Sequence, residues 1–267
     1  METITITVPH QKIEYPESDG KPMAETDIHI NALIYLREAL KDYFRDEPQV
    51  YVAGNMLLYY EEGDPLALVA PDVFVVKGIS KKERRIYKLW EEGRAPNVVI
   101  EISSRLTRLE DLGNKRVLYA MLGVQEYFLF DPLVEYLEPP LQGFRLIAGD
   151  YERLEPAQDG SLFSQVLGLT LRREDELLRL INPSTHQSLL TPAEAHQQAR
   201  AEAEARHAAE QQVLTEAKAR YAAEQRIQAE TEARHAAEQR AVEAEAELAK
   251  LRAELAKLRE ENPPDNG

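Results

Sequence analysis

From Pro192 to Glu261 the chain holds no glycine, no second proline and almost nothing but Ala, Glu, Gln, Arg, Lys and Leu. A stretch of about 70 strong helix formers without a breaker folds as one helix, roughly 105 Å long if straight. Its start is marked by Thr191 as N-cap, Pro192 at the first helical position and Glu194 in an acidic first turn. Its end is set by Asn262-Pro263, which leaves 262–267 as a disordered tail. "EARHAAEQ" at 204–211 returns as "KARYAAEQ" at 218–225 and "EARHAAEQ" at 232–239, a two-heptad spacing. Leu248, Leu251, Leu255 and Leu258 then recur at a/d spacing, so a coiled coil is expected at 241–260. Extending that register backwards meets Arg234, Glu230, Arg220 and Glu216, so 195–240 also reads as a solvated single helix laced by Glu-Arg and Glu-Lys pairs.

Everything else must come from the first 185 or so residues, where the aromatics, β-branched residues and nearly all glycine and proline lie. That length supports one sizeable core. There is no cysteine, which excludes disulfides and thiolate metal sites. "METITITVPHQKIEYPESDG" has neither the basic nor the apolar region of a signal peptide, and no run of 18 apolar residues occurs. A soluble, cytoplasmic protein without membrane contact is expected. The net charge of −15, with −5 of it from Thr191 onward, argues against a broad, non-specific grip on nucleic acid. Any such contact needs a local basic patch. "KGISKKERR" (77–85) is the one concentrated basic run, and Lys81, Lys82, Arg84 and Arg85 are candidate phosphate contacts, with a solvated loop as the alternative.

The first part reads as mixed α/β. "IHINALIYLREALKDYF" (28–44) puts Leu33, Leu36, Leu40 and Phe44 on one helical side. Strands are expected at 49–60 and 68–76 around the acidic turn "EEGDP", at "NVVIEIS" and at "EYFLFDP". A helix over 108–123 ends at Gly123, and short antiparallel strands follow from 133 to 181 as an appendage. An N-terminal arm, 1–14, precedes the domain.

Two acids sit inside apolar strands, Asp72 after Pro71 and Glu101 after Val98, Val99 and Ile100. An unpaired buried carboxylate costs several kcal/mol, so a partner or an ion is expected. Two carboxylates on neighbouring strand ends can share a hard cation, and magnesium fits because it needs only one or two of them plus waters and substrate phosphate. Strand parity sends Glu101 and Ser103 to the same face. Asp111, Lys115 and Tyr119 follow at steps of four on the next helix. The bland alternatives are a capping Asp72, a Glu101-Lys115 salt bridge and an Asp111-Lys115 helix pair. Ser103 and Ser104 lack a nearby histidine or a glycine elbow, so no serine nucleophile is expected. His29 is read as structural.

"VAPDVFVV", "PNVVIEISS" and "DLGNKRVLYAMLGVQEYFLFDP", together with "DGKPMAETDIHINAL" and "LRLINPSTH", resemble the Uma-two endonuclease family over roughly residues 15–185. That family belongs to the restriction-endonuclease-like, PD-(D/E)xK nucleases. The resemblance implies a restriction-endonuclease-like α/β core, a mixed sheet flanked by helices. It implies Asp72 and Glu101 as metal ligands for Mg2+, with Mn2+ as a possible substitute, and DNA as substrate. The superfamily lysine two residues after the acid is here Ser103, a supporting hydrogen-bonding group, while Lys115 matches a migrated lysine and Glu25 an extra acid near the first helix. Two functions follow: a metal-dependent endonuclease, homodimeric or larger through the C-terminal coiled coil, or a nuclease-like scaffold of little activity assembled the same way.

Overall fold

The computed structural model describes residues 13–18, 26–105 and 107–261, and the chain divides into two units, Met1–His196 and Gln197–Gly267. In the first, helix α1 (Asp27–Tyr43) begins where the Thr26 side chain accepts the His29 N–H. An aspartate in its first turn and a lysine in its last suit the helix dipole. Ala32, Tyr35, Leu36, Ala39 and Leu40 are buried, the i, i+3, i+4, i+7 stripe of a helix lying on a sheet.

Among the described residues that sheet has six strands: β1 (Val50–Gly54), β4 (Val73–Lys77), β6 (Val98–Ile102), β7 (Glu126–Phe130), β8 (Leu141–Ile147) and β9 (Asp150–Arg153). They lie in that order across it. Only β6 and β7 run parallel, and the helical segment 108–122 joins them. Alternation then divides the apolar residues. Val73, Val75, Val98, Ile100, Ile102, Phe128 and Phe130 share one core with α1. Phe74, Val76, Val99, Tyr127 and Leu129 build a second core on the other face, beneath Tyr119 and Tyr87. Strands buried on both sides read as continuous apolar runs, which is why 98–102 does.

The run 49–60 is not one strand. At Asn55 the backbone turns left-handed (φ 48°), and β2 (Leu58–Tyr59) leaves to pair with β3 (Leu68–Val69) and β5 (Tyr87–Lys88), ahead of the short α2 (Leu89–Glu92). Residues 141–153 also differ from expectation, since they complete the central sheet instead of joining the appendage. Gly143 is the physical reason. A Cβ there would lie 2.9 Å from both Phe128 Cε1 and Leu162 Cδ1, so only glycine lets Leu162 pack over β8.

The appendage itself is a three-stranded antiparallel sheet of β10 (Leu162–Ser164), β11 (Leu169–Glu174) and β12 (Leu177–Ile181). Its Leu162, Leu169, Leu171, Leu178 and Leu180 enter the α1 core, each burial worth about 1.5–3 kcal/mol. Glu126, fully buried at the start of β7, ties the two sheets together. It accepts hydrogen bonds from Arg145 Nη2 (2.8 Å), the Ser164 hydroxyl and the Gln165 N–H (3.0 Å).

Helix α5 (Pro192–Glu261) opens with a capping box: the Thr191 N–H donates to Glu194 Oε2 (2.7 Å), and the Glu194 N–H to Thr191 Oγ1 (3.2 Å). Its side chains through Lys257 are almost all exposed, and pairs such as Arg200–Glu204 and Arg234–Glu238 lace it at i, i+4. Among the described residues no helix is long and apolar enough to cross a membrane.

Candidate active site

Antiparallel pairing of β4 and β6 puts Val73 opposite Ile100. One step further, Asp72 stands beside Glu101, and its N–H lies 3.3 Å from Glu101 Oε2. Like charges opposite one another across a sheet repel, and Glu101 is only 1% exposed. The position is tolerable because a cation comes in from the next element.

The segment after β6 is not a uniform helix. It runs as α3 (Arg108–Glu110), a π-helical turn (Asp111–Lys115) and α4 (Arg116–Leu122). A π turn has more residues per turn than an α-helix, so side chains four apart point nearly the same way, and such turns concentrate at functional sites. Here Asp111 and Lys115 both point inward. Lys115 Nζ is 3.1 Å from Glu101 Oε2 and 3.0 Å from Asp111 Oδ1. The Asp111 contact is ionic without hydrogen-bond alignment, since that oxygen has no well-formed donor. One α-turn on, the Tyr119 hydroxyl donates to Glu101 Oε1 at 2.6 Å. Ser103 Oγ donates to Asp111 Oδ2 (3.1 Å), and the Tyr127 hydroxyl to the Asp111 carbonyl (3.0 Å), which ties the π turn to β6 and β7.

Asp72 is held separately. The Ile102 N–H donates to its Oδ2 (2.7 Å), and His29 Nε2, from the first turn of α1, lies 3.2 Å from its Oδ1. His29, structural by its sequence context, therefore touches a predicted site residue.

Electrostatics follows from burial. Desolvation pushes the Glu101 carboxyl up to about 8; Lys115 opposes this, and Asp72 then Asp111 reinforce it. Burial likewise raises Asp111 against the pull of Lys115. For Lys115 burial acts downward, but Glu101, Asp111 and Asp72 outweigh it and hold the ammonium above its ordinary range. With all groups ionised the cluster carries three negative charges and one positive, so it has room for one divalent cation.

Among the described residues no three His, Asp or Glu side chains form a ready-made metal cage. A pair of hard oxygen donors on adjacent strand ends still fits magnesium, which keeps most of its waters and takes one or two carboxylates. Asp72 and Glu101 are that pair.

The structure therefore brings together Asp72, Glu101, Ser103 and Lys115, and adds Asp111, Tyr119 and His29. The spacing 111-115-119 was the available signal for Tyr119. Glu25 lies outside the described residues, as does most of the N-terminal arm. The basic run is heavily engaged. Arg84 makes a two-pronged pair with Glu92, Lys82 joins it at 3.3 Å, and Arg85 pairs with Glu17. Lys81 caps α1 by donating to the Phe44 and Arg45 carbonyls.

A mixed sheet flanked by helices, with two acids on neighbouring strand ends and a lysine on the following helix, defines a restriction-endonuclease-like α/β fold. The Uma2 family, described as "Putative restriction endonuclease", matches residues 4–176, well over half of the chain, and the chain belongs to that family. It is thereby placed among nucleases. A solved structure that resembles it is that of a "putative nuclease belonging to DUF820" from Anabaena variabilis. The identity is 18%, the match covers 57% of this chain and 81% of the other, and the TM-score is 0.40. No curated protein matches the chain.

Proposed function

We propose that the protein is a cytoplasmic, magnesium-dependent endonuclease that hydrolyses phosphodiester bonds of DNA, with manganese able to substitute. The observation that carries this is the convergence of Asp72, Glu101 and Lys115, from the residue before β4, from β6 and from the π turn: the Asp72 N–H lies 3.3 Å and Lys115 Nζ 3.1 Å from the same Glu101 oxygen. Asp72 and Glu101 would hold the metal. When bound, such an ion stabilises charge on the phosphate and makes water a stronger nucleophile near neutral pH.

The chain's own residues do the rest. The Ile102 N–H fixes the Asp72 carboxylate, and Tyr119 fixes that of Glu101. Lys115, paired by charge with Glu101 and Asp111, would present its ammonium to the attacking water or a phosphate oxygen. Ser103 acts through Asp111 by steadying the carboxylate that aims Lys115. Without a cation Glu101 retains a proton near neutrality, so cation binding and loss of that proton are linked.

A second reading is a nuclease-like scaffold of little activity. The net charge of −15 and the prior pairing of Glu101 with Lys115 favour it. In both readings the chain assembles as a homodimer or larger through α5, where Leu248, Leu251 and Leu255 are exposed at coiled-coil spacing. The deciding experiment is cleavage of supercoiled DNA with Mg2+ or Mn2+, wild type against Asp72→Ala. Cleavage by the wild type alone is expected; equal cleavage by both would overturn the nuclease assignment.

A further inference from the structure

We propose that the groove between α1 and edge strand β1 is a track for the phosphodiester backbone of one DNA strand, leading to Asp72 and Glu101. This rests on the nuclease reading and extends it to how substrate is held.

The groove encloses about 520 Å3, and its charged lining is Arg37, Lys41, Arg45, Lys81 and Arg84 against the single acid Glu83. In a chain of net charge −15 that is a local reversal of sign. Two of these cations are structural, since Arg84 is bound by Glu92 and lies over the Tyr51 ring, and Lys81 caps α1. Of the other three, Arg37 and Lys41 project from α1 at i and i+4 and Arg45 from the turn that follows it, and their side chains are 39%, 41% and 73% exposed. Their partners, Glu38 and Asp42, are themselves on the surface. Exposed pairs of this kind contribute at most about 1 kcal/mol, so a phosphate can displace them.

Arg37 to Lys41 spans about 6 Å of helix axis, close to two nucleotides of one strand at about 3.4 Å each, and Arg45 extends the row past the helix end. Gly54 joins this row to the site. A Cβ there would lie 2.8 Å from the Asp72 carbonyl oxygen and 3.1 Å from Arg37 Cδ. The Arg37 stem and the Asp72 backbone therefore meet across a residue that must lack a side chain. A glycine inside a strand marks such close approach.

The test is fluorescence anisotropy of the full-length protein with a labelled duplex of about 20 base pairs, in EDTA, across roughly 50 to 200 mM KCl. Arg37→Gln/Lys41→Gln/Arg45→Gln should lower the slope of log K against log salt by about 2.7. Each single variant should lower it by about 0.9 and weaken binding on the order of tenfold at 0.1 M salt. Arg206→Gln/Lys218→Gln/Arg220→Gln on α5 removes the same charge and should leave binding unchanged. If the triple variant does not fold by Trp90 fluorescence, the single variants decide. An unchanged slope, an equal loss in the α5 control, or no DNA binding by the wild type would each overturn the track. Binding through α1 without metal-dependent cleavage would support the track and refute the nuclease reading. Cleavage with binding indifferent to α1 would do the reverse.

Discussion

Replacing Glu126 with alanine should cost the first unit about 4 kcal/mol, far more than a surface substitution. The carboxylate is fully buried, and one oxygen serves Arg145 Nε (3.1 Å), Arg145 Nη2 (2.8 Å) and the Gln165 N–H (3.0 Å). The other serves the Ser164 hydroxyl and the Val166 N–H (3.3 Å). Alanine removes every one of these acceptors at once. Breaking a buried ion pair from one side costs about 3–5 kcal/mol. Two orphaned backbone N–H groups would each add about 1–3 kcal/mol, but the space vacated by the carboxylate is polar and can take in water, and Arg145 is partly exposed and can rehydrate. The expected total is near 4 kcal/mol, or a melting temperature lower by about 8–16 °C for a unit of this size. Urea unfolding followed by Trp90 is the assay. It is the only tryptophan in the chain and sits in α2 of the first unit, so the signal reports on that unit. Glu126→Gln, which keeps one acceptor, should fall between. A loss below about 1 kcal/mol for Glu126→Ala would refute the view that this carboxylate joins the two sheets.

Glu101 sets a pH dependence of unusual sign. Its folded-state pKa, about 8, lies above the ordinary carboxylate range, so between the two the folded chain holds a proton that the unfolded chain has lost. Its contribution to stability therefore falls as pH rises. In EDTA, Glu101→Gln should be the more stable protein by a margin that widens from about pH 5 to 8, and Mg2+ should raise the melting temperature of the wild type only; parallel pH profiles would sink this. In α5, Leu251→Asp/Leu255→Asp should reduce the mass measured by light scattering to that of one chain, and equal masses for variant and wild type would remove the coiled-coil proposal.

The site was legible where chemistry conflicts with pattern. Glu101 stands out because an acid ends a run of β-branched residues, and Asp72 because it interrupts another. Helix α1 and strand β6 were legible from periodicity and from the absence of polar spacers. The π turn was not, because nothing in "DLGNK" distinguishes it from an α-helix. Nor was the place of β8 and β9, which depends on Gly143 clearing space for Leu162 from a more distant strand. The three cations Arg37, Lys41 and Arg45 were hidden because each has an acid close to it in sequence; only the fold shows that they share a groove with Gly54.

The π turn also makes chain length a constraint in its own right. A π turn spends one residue more than an α-turn on nearly the same arc, so losing one residue between Asp111 and Lys115 would return the segment to α-helical winding and leave α4 nearly in register. Asp111 and Lys115 would then be three α-helical steps apart, about 60° out of line, without any change of amino-acid type at either position. Tolerance to substitution at Gly113, whose Cβ position is open, therefore says nothing about tolerance to deletion there. A library of single-residue deletions, scored separately for folding and for cleavage, should find this short stretch forgiving in the first and unforgiving in the second.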